Sequence, residues 1–377
     1  MSKLVLDSLE IKNFRAFKHL RIEKLGRVNL IVGKNNVGKS SLLDALTVYA
    51  NRGEPYMIFG LMRERNEIPS EDAESKHFRR SVADAQERLE SLRYIYHKWP
   101  EINSDVEPAE IGPMGGRGDS LSISVRFPSA PHYLIKNGEA TFVDNEEFSK
   151  HASLVPAIEV RIANTYVYSF PLDQAYSSRL IQTGRGLEKD HYIYVSAGGL
   201  ALDEFAAFWD KIALYDTEKQ VLSMLNIVAP EVEDINLVGN EGPSGGRIPK
   251  IRLPNIDRPV PLRSLGEGMN RMFGIALALV NAKDGMLLID EVDTGLHYSV
   301  LPDLWKLIFE VAHRLNVQVF ATSHSWDCIQ AFQQAADENT EEEGMLVRLE
   351  HRDGEVVPVM FDERKLNIAA REQIEVR

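Results

Sequence analysis

The sequence predicts an α/β fold with a mainly parallel core sheet, and three segments of similar form carry that prediction. Each is a short apolar run with a polar end: 28–32 before a glycine-rich loop, 286–289 before two acids, and 317–322 before Ser323 and His324. Short apolar runs bounded by turn residues are typical of strands buried on both faces of a parallel sheet. Open α/β sheets bind ligands at the carboxyl ends of their strands, so we expect a functional site there.

The first polar end is a complete phosphate-binding P-loop, 33–40, followed by an apolar helix. Gly33 and Gly38 permit backbone dihedrals that other residues resist, so successive N–H groups can surround a β-phosphate at the positive end of the helix. The candidate nucleotide-binding residues here are Asn35, Asn36, Gly38, Lys39, Ser40 and Ser41. Lys39 is suited to neutralise phosphate oxygens, and the Ser40 hydroxyl to bind Mg²⁺. The flanking strand and helix argue against a chance Gly/Asn turn, so we expect a bound nucleoside triphosphate.

The second and third polar ends supply candidate catalytic groups. A P-loop needs a distant acid to hold its metal, and Asp290 is placed to complete the Mg²⁺ shell with Ser40. Glu291 is the candidate that polarises the attacking water, although a solvated strand exit is the alternative for both acids. His324 is the candidate sensor of the γ-phosphate, and a plain polar strand end is its alternative.

A further loop, 263–271, precedes the acidic pair and opens another apolar helix. Serine and glycine at a helix N-terminus can receive an anion, although a plain helix cap is the alternative. The loop resembles the signature of the ABC/SMC superfamily of ATPases, Ser-x-Gly-[Gln/Glu], which closes over a nucleotide held by the other protomer. It departs from the commonest form with Arg263 in place of leucine and Leu265 in place of the first glycine. By this resemblance the signature residues acting in trans are Ser264, Gly266, Glu267 and Gly268.

Several motifs together resemble the RecF-like and OLD-like (overcoming lysogenization defect) AAA ATPases of bacteria. These motifs occupy residues 11–17, 35–40, 289–297 and 322–325, and the resemblance covers roughly residues 3–50 and 190–377. It implies an ABC-type ATPase head that uses ATP, with Arg15 approaching the nucleotide; a surface arginine is the alternative. His297 stands where many ABC proteins carry the aspartate of the D-loop, a substitution that resembles this subgroup. A surface histidine is the alternative for that position.

Four segments describe the expected domain organisation. Residues 1–54 form the N-terminal part of the ATPase core, 55–118 an inserted helical arm, 119–190 a β-subdomain, and 191–377 the rest of the core. In the arm, apolar residues spaced by four and three predict one long helix from Ser70 to about His97. That seam consists of Phe78, Val82, Ala85, Leu89, Leu92 and Tyr96. It is suited either to docking a partner or to packing inside its own domain.

The remaining patterns predict smaller elements. A Gly/Pro-rich stretch, 111–118, is expected to be a loop, and alternation predicts antiparallel strands at 121–127, 140–143 and 158–162. Residues 202–225 are expected to be helical, with an aromatic cluster used for core packing. The patterns at 345–350 and 356–359 predict a hairpin.

Composition limits the possible partners and location. The chain has 377 residues with 43 basic and 56 acidic side chains, a net charge of −13, so no global positive field attracts DNA or anionic lipid. DNA binding stays possible without support from net charge, because basic side chains gather in the arm. Acids are interleaved with them, however, as on a solvated amphipathic helix. A single cysteine, Cys328, excludes an intramolecular disulfide, and no apolar stretch is long enough for a bilayer. We expect a cytoplasmic protein.

The motifs predict an ATPase, and the resemblance to the ABC/SMC superfamily and to its RecF-like and OLD-like members implies a homodimer closed by ATP that serves as the sensor or motor subunit of a bacterial defence (anti-phage) or DNA-maintenance complex. Longer OLD-like proteins continue into a TOPRIM nuclease domain, for which residues 325–377 leave no room. We therefore expect a separate effector protein, either a nuclease or a toxin. One rival is a nucleotide-gated scaffold with negligible turnover that holds and releases an effector. A transporter ATPase is a second rival, disfavoured by the diverged signature, the inserted arm and His297.

Overall fold

The computed structural model describes residues 4–68, 88–98, 107–116, 120–126, 132–136, 139–143, 156–163, 165–172, 189–239, 246–339 and 344–361. Its helices there are α1 (Lys39–Ala50), α2 (Pro55–Glu64), α3 (Leu202–Ile212), α4 (Asp216–Val228), α5 (Glu267–Asn281), α6 (Leu301–Leu315) and α7 (Trp326–Glu338). The first nine strands are β1 (Leu9–Phe14), β2 (Phe17–Ile22), β3 (Val28–Val32), β4 (Ala109–Gly112), β5 (Leu121–Arg126), β6 (His132–Lys136), β7 (Glu139–Val143), β8 (Ala157–Ile162) and β9 (Thr165–Pro171). The others are β10 (Tyr192–Val195), β11 (Asp234–Gly239), β12 (Arg247–Arg252), β13 (Val260–Pro261), β14 (Met286–Ile289), β15 (Gln318–Ser323), β16 (Gly344–Arg352) and β17 (Glu355–Phe361).

The core sheet has the strand order β10-β14-β15-β3-β16-β17 and is parallel except for β17. All residues of β3, β14 and β15 are buried, as expected for strands covered on both faces of a parallel sheet. Successive side chains alternate between two cores: Leu287 and Ile289 join the core built with α3–α7, whereas Met286 and Leu288 face the core that contains α1 and α2. The predicted mainly parallel α/β core is confirmed.

A second, antiparallel sheet lies on the α1 side, with the order β2-β1-β4-β5-β8-β9. The predicted pairing of β5 with β8 is confirmed, but β7 pairs with β6 in a separate hairpin. The predicted loop at 111–118 is wrong at its start, because Ile111 and Gly112 belong to β4. A Cβ on Gly112 would lie 2.8 Å from Ser120 Cα, so the glycine permits a close approach of two strands.

The predicted arm helix ends earlier than its apolar spacing indicates. Residues 88–92 are helical and 93–98 form turns, so the prediction that the helix reaches about His97 is wrong. The carbonyl of Ile95 accepts a hydrogen bond from the N–H of Arg15 at 2.8 Å, and the Tyr96 hydroxyl donates to the Ile123 carbonyl at 3.2 Å. The bond from Arg15 occupies a backbone carbonyl that a continued helix would use itself, and the bond from Tyr96 anchors its side chain.

The described part of the predicted seam faces the protein interior. Leu89, Leu92 and Tyr96 are buried in the same core as α1 and α2, which confirms internal packing for these three residues. Phe78, Val82 and Ala85 lie outside the described residues. The segment boundaries at 54, 118 and 190 stay predictions, with β4 joining part of 55–118 to the sheet of β1.

The helix predicted over 202–225 is two helices. Leu214 lies between them with φ of 70°, a left-handed conformation that stops α3, and its N–H donates to Glu218 Oε2 at 2.7 Å. The aromatic cluster packs in the core as predicted, with Phe205 stacked on Phe273 at 5.3 Å between ring centroids. The predicted C-terminal hairpin is also confirmed as β16 and β17, and β16 further pairs with β3. None of the described helices combines the length and apolar character needed to cross a bilayer.

Candidate functional site

The three polar strand ends meet at one edge of the core sheet. β14 and β15 are neighbours, and β15 is also the neighbour of β3, all in parallel register. Asp290 therefore follows β14, His324 follows β15, and Gly33 follows β3 at the same carboxyl edge. Parallel pairing of apolar strands thus brings together the predicted metal, sensor and phosphate groups.

The P-loop has the backbone that its glycines permit. Gly33 has φ of 143°, and a Cβ there would lie 2.6 Å from the carbonyl oxygen of Leu349 in β16. Gly38 has φ of 104°, and its Cβ would lie 3.0 Å from Ala16 Cβ in the β1–β2 turn. Both positions therefore exclude side chains on steric grounds. Helix α1 begins at the next residue, Lys39, so its N-terminus faces the loop as phosphate binding requires.

Lys39 is a buried ammonium held by the loop itself. Its Nζ donates to the carbonyl oxygens of Gly33 at 2.8 Å and Lys34 at 3.0 Å. Burial lowers the pKa of Lys39, while the charges of Asp290 and Glu291 act in the opposite direction. A phosphate group would supply the negative charge that this buried cation lacks among its carbonyl partners.

The two predicted metal ligands are in contact. The Ser40 hydroxyl donates to Asp290 Oδ2 at 3.0 Å, and the Thr322 hydroxyl donates to Asp290 Oδ1 at 2.6 Å. A serine hydroxyl and a carboxylate are the hard oxygen donors that Mg²⁺ prefers, so this pair fits the expected metal. The sequence predicts no separate role for Thr322, although its place near the end of a strand beside that of Asp290 is a usable signal.

Glu291 is held in a conformation unusual for its residue type. Its φ is 48°, in the left-handed region, and its N–H donates to the Thr322 hydroxyl oxygen at 2.8 Å. Its carboxylate accepts a hydrogen bond from the Thr294 hydroxyl at 3.1 Å and lies 3.9 Å from His324 Nδ1. The side chains of Glu291 and His324 are 39% and 50% exposed, so water can reach the carboxylate. The predicted base and sensor are therefore neighbours.

The signature residues lie at the surface before α5. Ser264, Gly266 and Glu267 are exposed, and Glu267 forms an ion pair with Arg263 at 3.3 Å. A Cβ on Gly268 would lie 2.7 Å from the carbonyl oxygen of Gly295, so the first turn of α5 is packed tightly on the loop that follows the acids. By contrast, a Cβ on Gly266 would meet nothing within 4 Å among the described residues. This N-terminus is open to an external group.

Arg15 lies in a buried ion-pair network. Its side chain is 6% exposed, so the alternative of a surface arginine is wrong. Its Nε lies 3.0 Å from Asp44 Oδ2, and its Nη1 lies 2.7 Å from Glu67 Oε1. Burial raises the pKa of Asp44, with the charges of Arg15 and Arg65 opposing that effect. The approach of Arg15 to a nucleotide stays a prediction.

The other predicted residues occupy exposed or partly exposed positions. Asn35 and Asn36 are exposed at the tip of the P-loop, and Ser41 is partly exposed in the first turn of α1. His297 is exposed: its ring lies 4.3 Å from that of Tyr298, and its Nδ1 lies 2.8 Å from the Ser299 hydroxyl. This location agrees with the alternative that His297 is a surface histidine, and its role in the D-loop stays a prediction.

Comparison with known families and proteins covers both halves of the chain. The family AAA_15, described as an AAA ATPase domain, matches residues 5–195. The family AAA_21, an AAA domain whose description names the AbiEii toxin and a Type IV TA system, matches residues 231–327. These matches include the P-loop in the first segment and the signature and acidic pair in the second.

Relatives and a solved structure agree with these families. An ATP/GTP phosphatase of Helicobacter pylori is 23% identical over 348 residues, which is 89% of this chain and 89% of that protein. The DNA replication and repair protein RecF of Clostridioides difficile is 46% identical over 41 residues, 11% of each chain. The crystal structure of an SMC head bound to the C-winged helix domain of ScpA has a TM-score of 0.52 and 15% identity, covering 95% of this chain and 97% of that one. The fold is similar to that of an SMC head, and the OLD-like part of the resemblance stays a prediction.

Proposed function

The chain belongs to the AAA ATPase domain family and is an ATPase, and from that premise we propose that its hydrolysis of ATP is coupled to closure of a homodimer. One observation carries the proposal: a complete P-loop and acid pair share a chain with a separate, solvent-facing signature N-terminus. Among the described residues, none would touch a Cβ placed on Gly266, so this N-terminus is suited to a γ-phosphate held by a second protomer.

In this proposal each site residue has a distinct role. The P-loop from Asn35 to Ser41 holds the phosphates, and Lys39 neutralises their charge. Ser40 and Asp290 would hold Mg²⁺, whose charge would stabilise the negative phosphate oxygens. Glu291 orients and polarises the attacking water, and His324 senses the γ-phosphate from beside it. The 3.9 Å separation of the last two side chains supports their joint action.

The signature residues are proposed to act across the dimer. Ser264 and Gly266 offer a hydroxyl and an unobstructed backbone at the start of α5, where the helix dipole favours a phosphate. Closure would bring this surface over the P-loop of the partner, with Glu267 and Gly268 at the same helix end. Two symmetric sites would then form at one interface, as expected for a twofold dimer.

Sedimentation velocity can test the assembly step with a hydrolysis-deficient variant. Glu291→Gln protein should sediment as a monomer alone and as a dimer with ATP and Mg²⁺. In that background Ser264→Arg should still bind nucleotide but remain monomeric, because a bulky cation replaces a hydroxyl at the interface. Ser223→Arg, an exposed serine of α4, is the matched control and should dimerise normally. A monomer of wild-type sequence that hydrolyses ATP at full rate would contradict the dimer proposal.

We further propose that the protein is a cytoplasmic sensor or motor subunit of an anti-phage defence or DNA-maintenance complex and acts through a separate nuclease or toxin. Three likenesses support a role of this kind: the RecF match, the toxin named by the second family, and an SMC head that was crystallised with a protein partner. The purified chain should show ATPase activity without nuclease activity. Metal-dependent DNA cleavage that stays with the isolated chain through successive purification steps would contradict an effector in trans.

A nucleotide-gated scaffold with negligible turnover is the second candidate function. The observation that favours it is the Thr294 hydroxyl, which occupies one oxygen of Glu291 at 3.1 Å. This bond takes up one acceptor position of the carboxylate and leaves fewer for water, so slower water activation would let ATP binding rather than hydrolysis control the effector. Comparison of steady-state turnover with product release in a single turnover separates the two candidates. Repeated turnover without an effector supports the ATP-driven cycle, and a single slow turnover supports the scaffold.

A further inference from the structure

Arg271 is a buried cation directly beneath the acidic pair. The residue is 4% exposed and lies in the second turn of α5, four positions after Glu267. Its Nη2 donates to the carbonyl oxygens of Asp290 at 2.6 Å and Glu291 at 2.9 Å. Its Nη1 donates to the carbonyl oxygen of Ser196, which follows β10. One guanidinium thus joins the ends of two neighbouring strands to the signature helix.

These hydrogen bonds fix the backbone of Glu291 from its carbonyl side. On the other side, the N–H of Glu291 donates to Thr322 at 2.8 Å. A glutamate with φ of 48° is strained, so it keeps that conformation only where its surroundings hold it. Arg271 and Thr322 provide this restraint at the two ends of the residue, together with the N–H of Thr294, which donates to the Glu291 carbonyl oxygen at 3.0 Å. Among these donors, Arg271 is the one that belongs to the signature helix, and its loss would loosen the backbone that directs the Glu291 side chain.

The charges around Arg271 favour a guanidinium that stays protonated and holds the neighbouring carbonyl oxygens in place. The carboxylates of Asp290, Asp293 and Glu291 contribute favourable charge, while burial lowers the pKa of Arg271. Arginine keeps its charge under such burial, and its planar fork can serve several carbonyl oxygens at once. A lysine ammonium cannot reproduce that geometry, which makes the position specific for arginine.

Arg271 also shares a rigid element with the signature. α5 begins at Glu267, and its first turn is fixed to the loop after the acids by the close approach of Gly268 to Gly295. A shift of the signature N-terminus therefore moves Arg271, and with it the carbonyls of Asp290 and Glu291. The signature helix has two separate contacts with the segment that carries the general base.

We propose that Arg271 is a positioning residue that transmits the position of the signature helix to the backbone of Glu291. The inference rests on the proposed function, in which Glu291 activates water and the signature binds a nucleotide in trans. Arg271 touches neither substrate nor metal. It sets the direction of the base and makes water activation depend on where α5 lies.

A double-mutant cycle with Glu291→Gln tests this role. Arg271→Met should lower kcat by ~100-fold, comparable to misplacing a catalytic group, and should change the Kd for ATP by less than about threefold. Added to Glu291→Gln, it should cause almost no further loss of kcat, because both changes remove the same action. The double variant should still dimerise with ATP in sedimentation. Arg27→Met is the matched control, a buried arginine that donates to Asn316 at 3.1 Å, and should lower stability with kcat unchanged.

Each result has a defined meaning. An undiminished kcat in Arg271→Met, or a loss that multiplies with that of Glu291→Gln, would overturn the inference. If the methionine variant does not fold, Arg271→Lys replaces it in the same cycle and should lower kcat by about tenfold with unchanged Kd. Wild-type kcat in the lysine variant would likewise overturn the inference. Full hydrolysis by Glu291→Gln would instead reject the proposed base, which keeps the two failures separate.

Discussion

Ser40 Oγ donates a hydrogen bond to Asp290 Oδ2 at 3.0 Å although the two residues are 250 positions apart in sequence. The contact joins the start of α1 to the end of β14 and closes the site between two distant parts of the chain. Both groups are hard oxygen donors of the kind that Mg²⁺ prefers. The fold itself thus brings the two proposed metal ligands together.

Lys39→Ala should abolish measurable ATP binding, because the ammonium is the buried cation of the P-loop. In the wild type, ATP affinity should fall with rising pH, starting below the ordinary lysine value of 10.5, since burial lowers the pKa of Lys39 and the neutral amine no longer attracts phosphate. Titration calorimetry across pH measures both effects. Lys219→Ala, an exposed lysine of α4, should bind ATP like the wild type. Unchanged affinity in Lys39→Ala would refute the phosphate role.

Glu291→Gln should retain ATP binding and slow hydrolysis by ~100-fold or more, because the amide cannot accept a proton from water while the phosphate cradle is intact. Calorimetry and steady-state phosphate release give the two quantities. The exposed Glu310→Gln in α6 is the control and should behave like the wild type. Hydrolysis at the normal rate by Glu291→Gln would mean that another group is the general base.

Arg15→Met should lower the free energy of unfolding by about 2–4 kcal/mol, because Asp44 and Glu67 lose a buried cation. Urea unfolding measures this change, and Arg21→Met, which alters an exposed ion pair with Glu10, should cost under about 1 kcal/mol. ATP affinity gives a second readout for the predicted approach of Arg15 to nucleotide. If stability falls and affinity does not, the residue is structural.

Leu89→Asp should destabilise the protein by about 3 kcal/mol or more, because it buries a carboxylate among apolar side chains. Thermal unfolding measures the loss. Tyr94→Asp, at an exposed position in the following turn, should have little effect on unfolding. A stable Leu89→Asp protein with normal ATPase activity and lost partner binding would show that this part of the seam is a docking surface.

The core sheet and its ligand edge could be predicted from sequence because their signals are local. Strands β3 and β14 are buried along their whole length, so their sequences are mostly apolar and end in diagnostic polar groups. The break between α3 and α4 at Leu214 has no such signal, because no sequence pattern marks a leucine that adopts the left-handed backbone conformation. The early end of the arm helix likewise depends on Arg15, which pairs with Ile95 from far away in the chain.

The roles of Thr322 and Arg271 were missed for a related reason. Thr322 acts by bridging Asp290 and the backbone of Glu291, which only parallel pairing of β14 and β15 reveals. Arg271 donates hydrogen bonds to main-chain carbonyl oxygens. Every residue has such an oxygen, so no sequence motif can indicate which ones Arg271 binds. Sequence patterns located the chemical groups, whereas the groups that hold them were visible only in three dimensions.

The pairing of β3 with both β15 and β16 has a consequence for synthesis of the chain. The P-loop strand leaves the ribosome early, but its two sheet neighbours, Gln318–Ser323 and Gly344–Arg352, are translated much later. Until then β3 and the apolar face of α1 cannot be fully covered, and such long-range pairing slows folding. We expect the nascent N-terminal half to depend on chaperones, and nucleotide binding to begin only after β16 has been made.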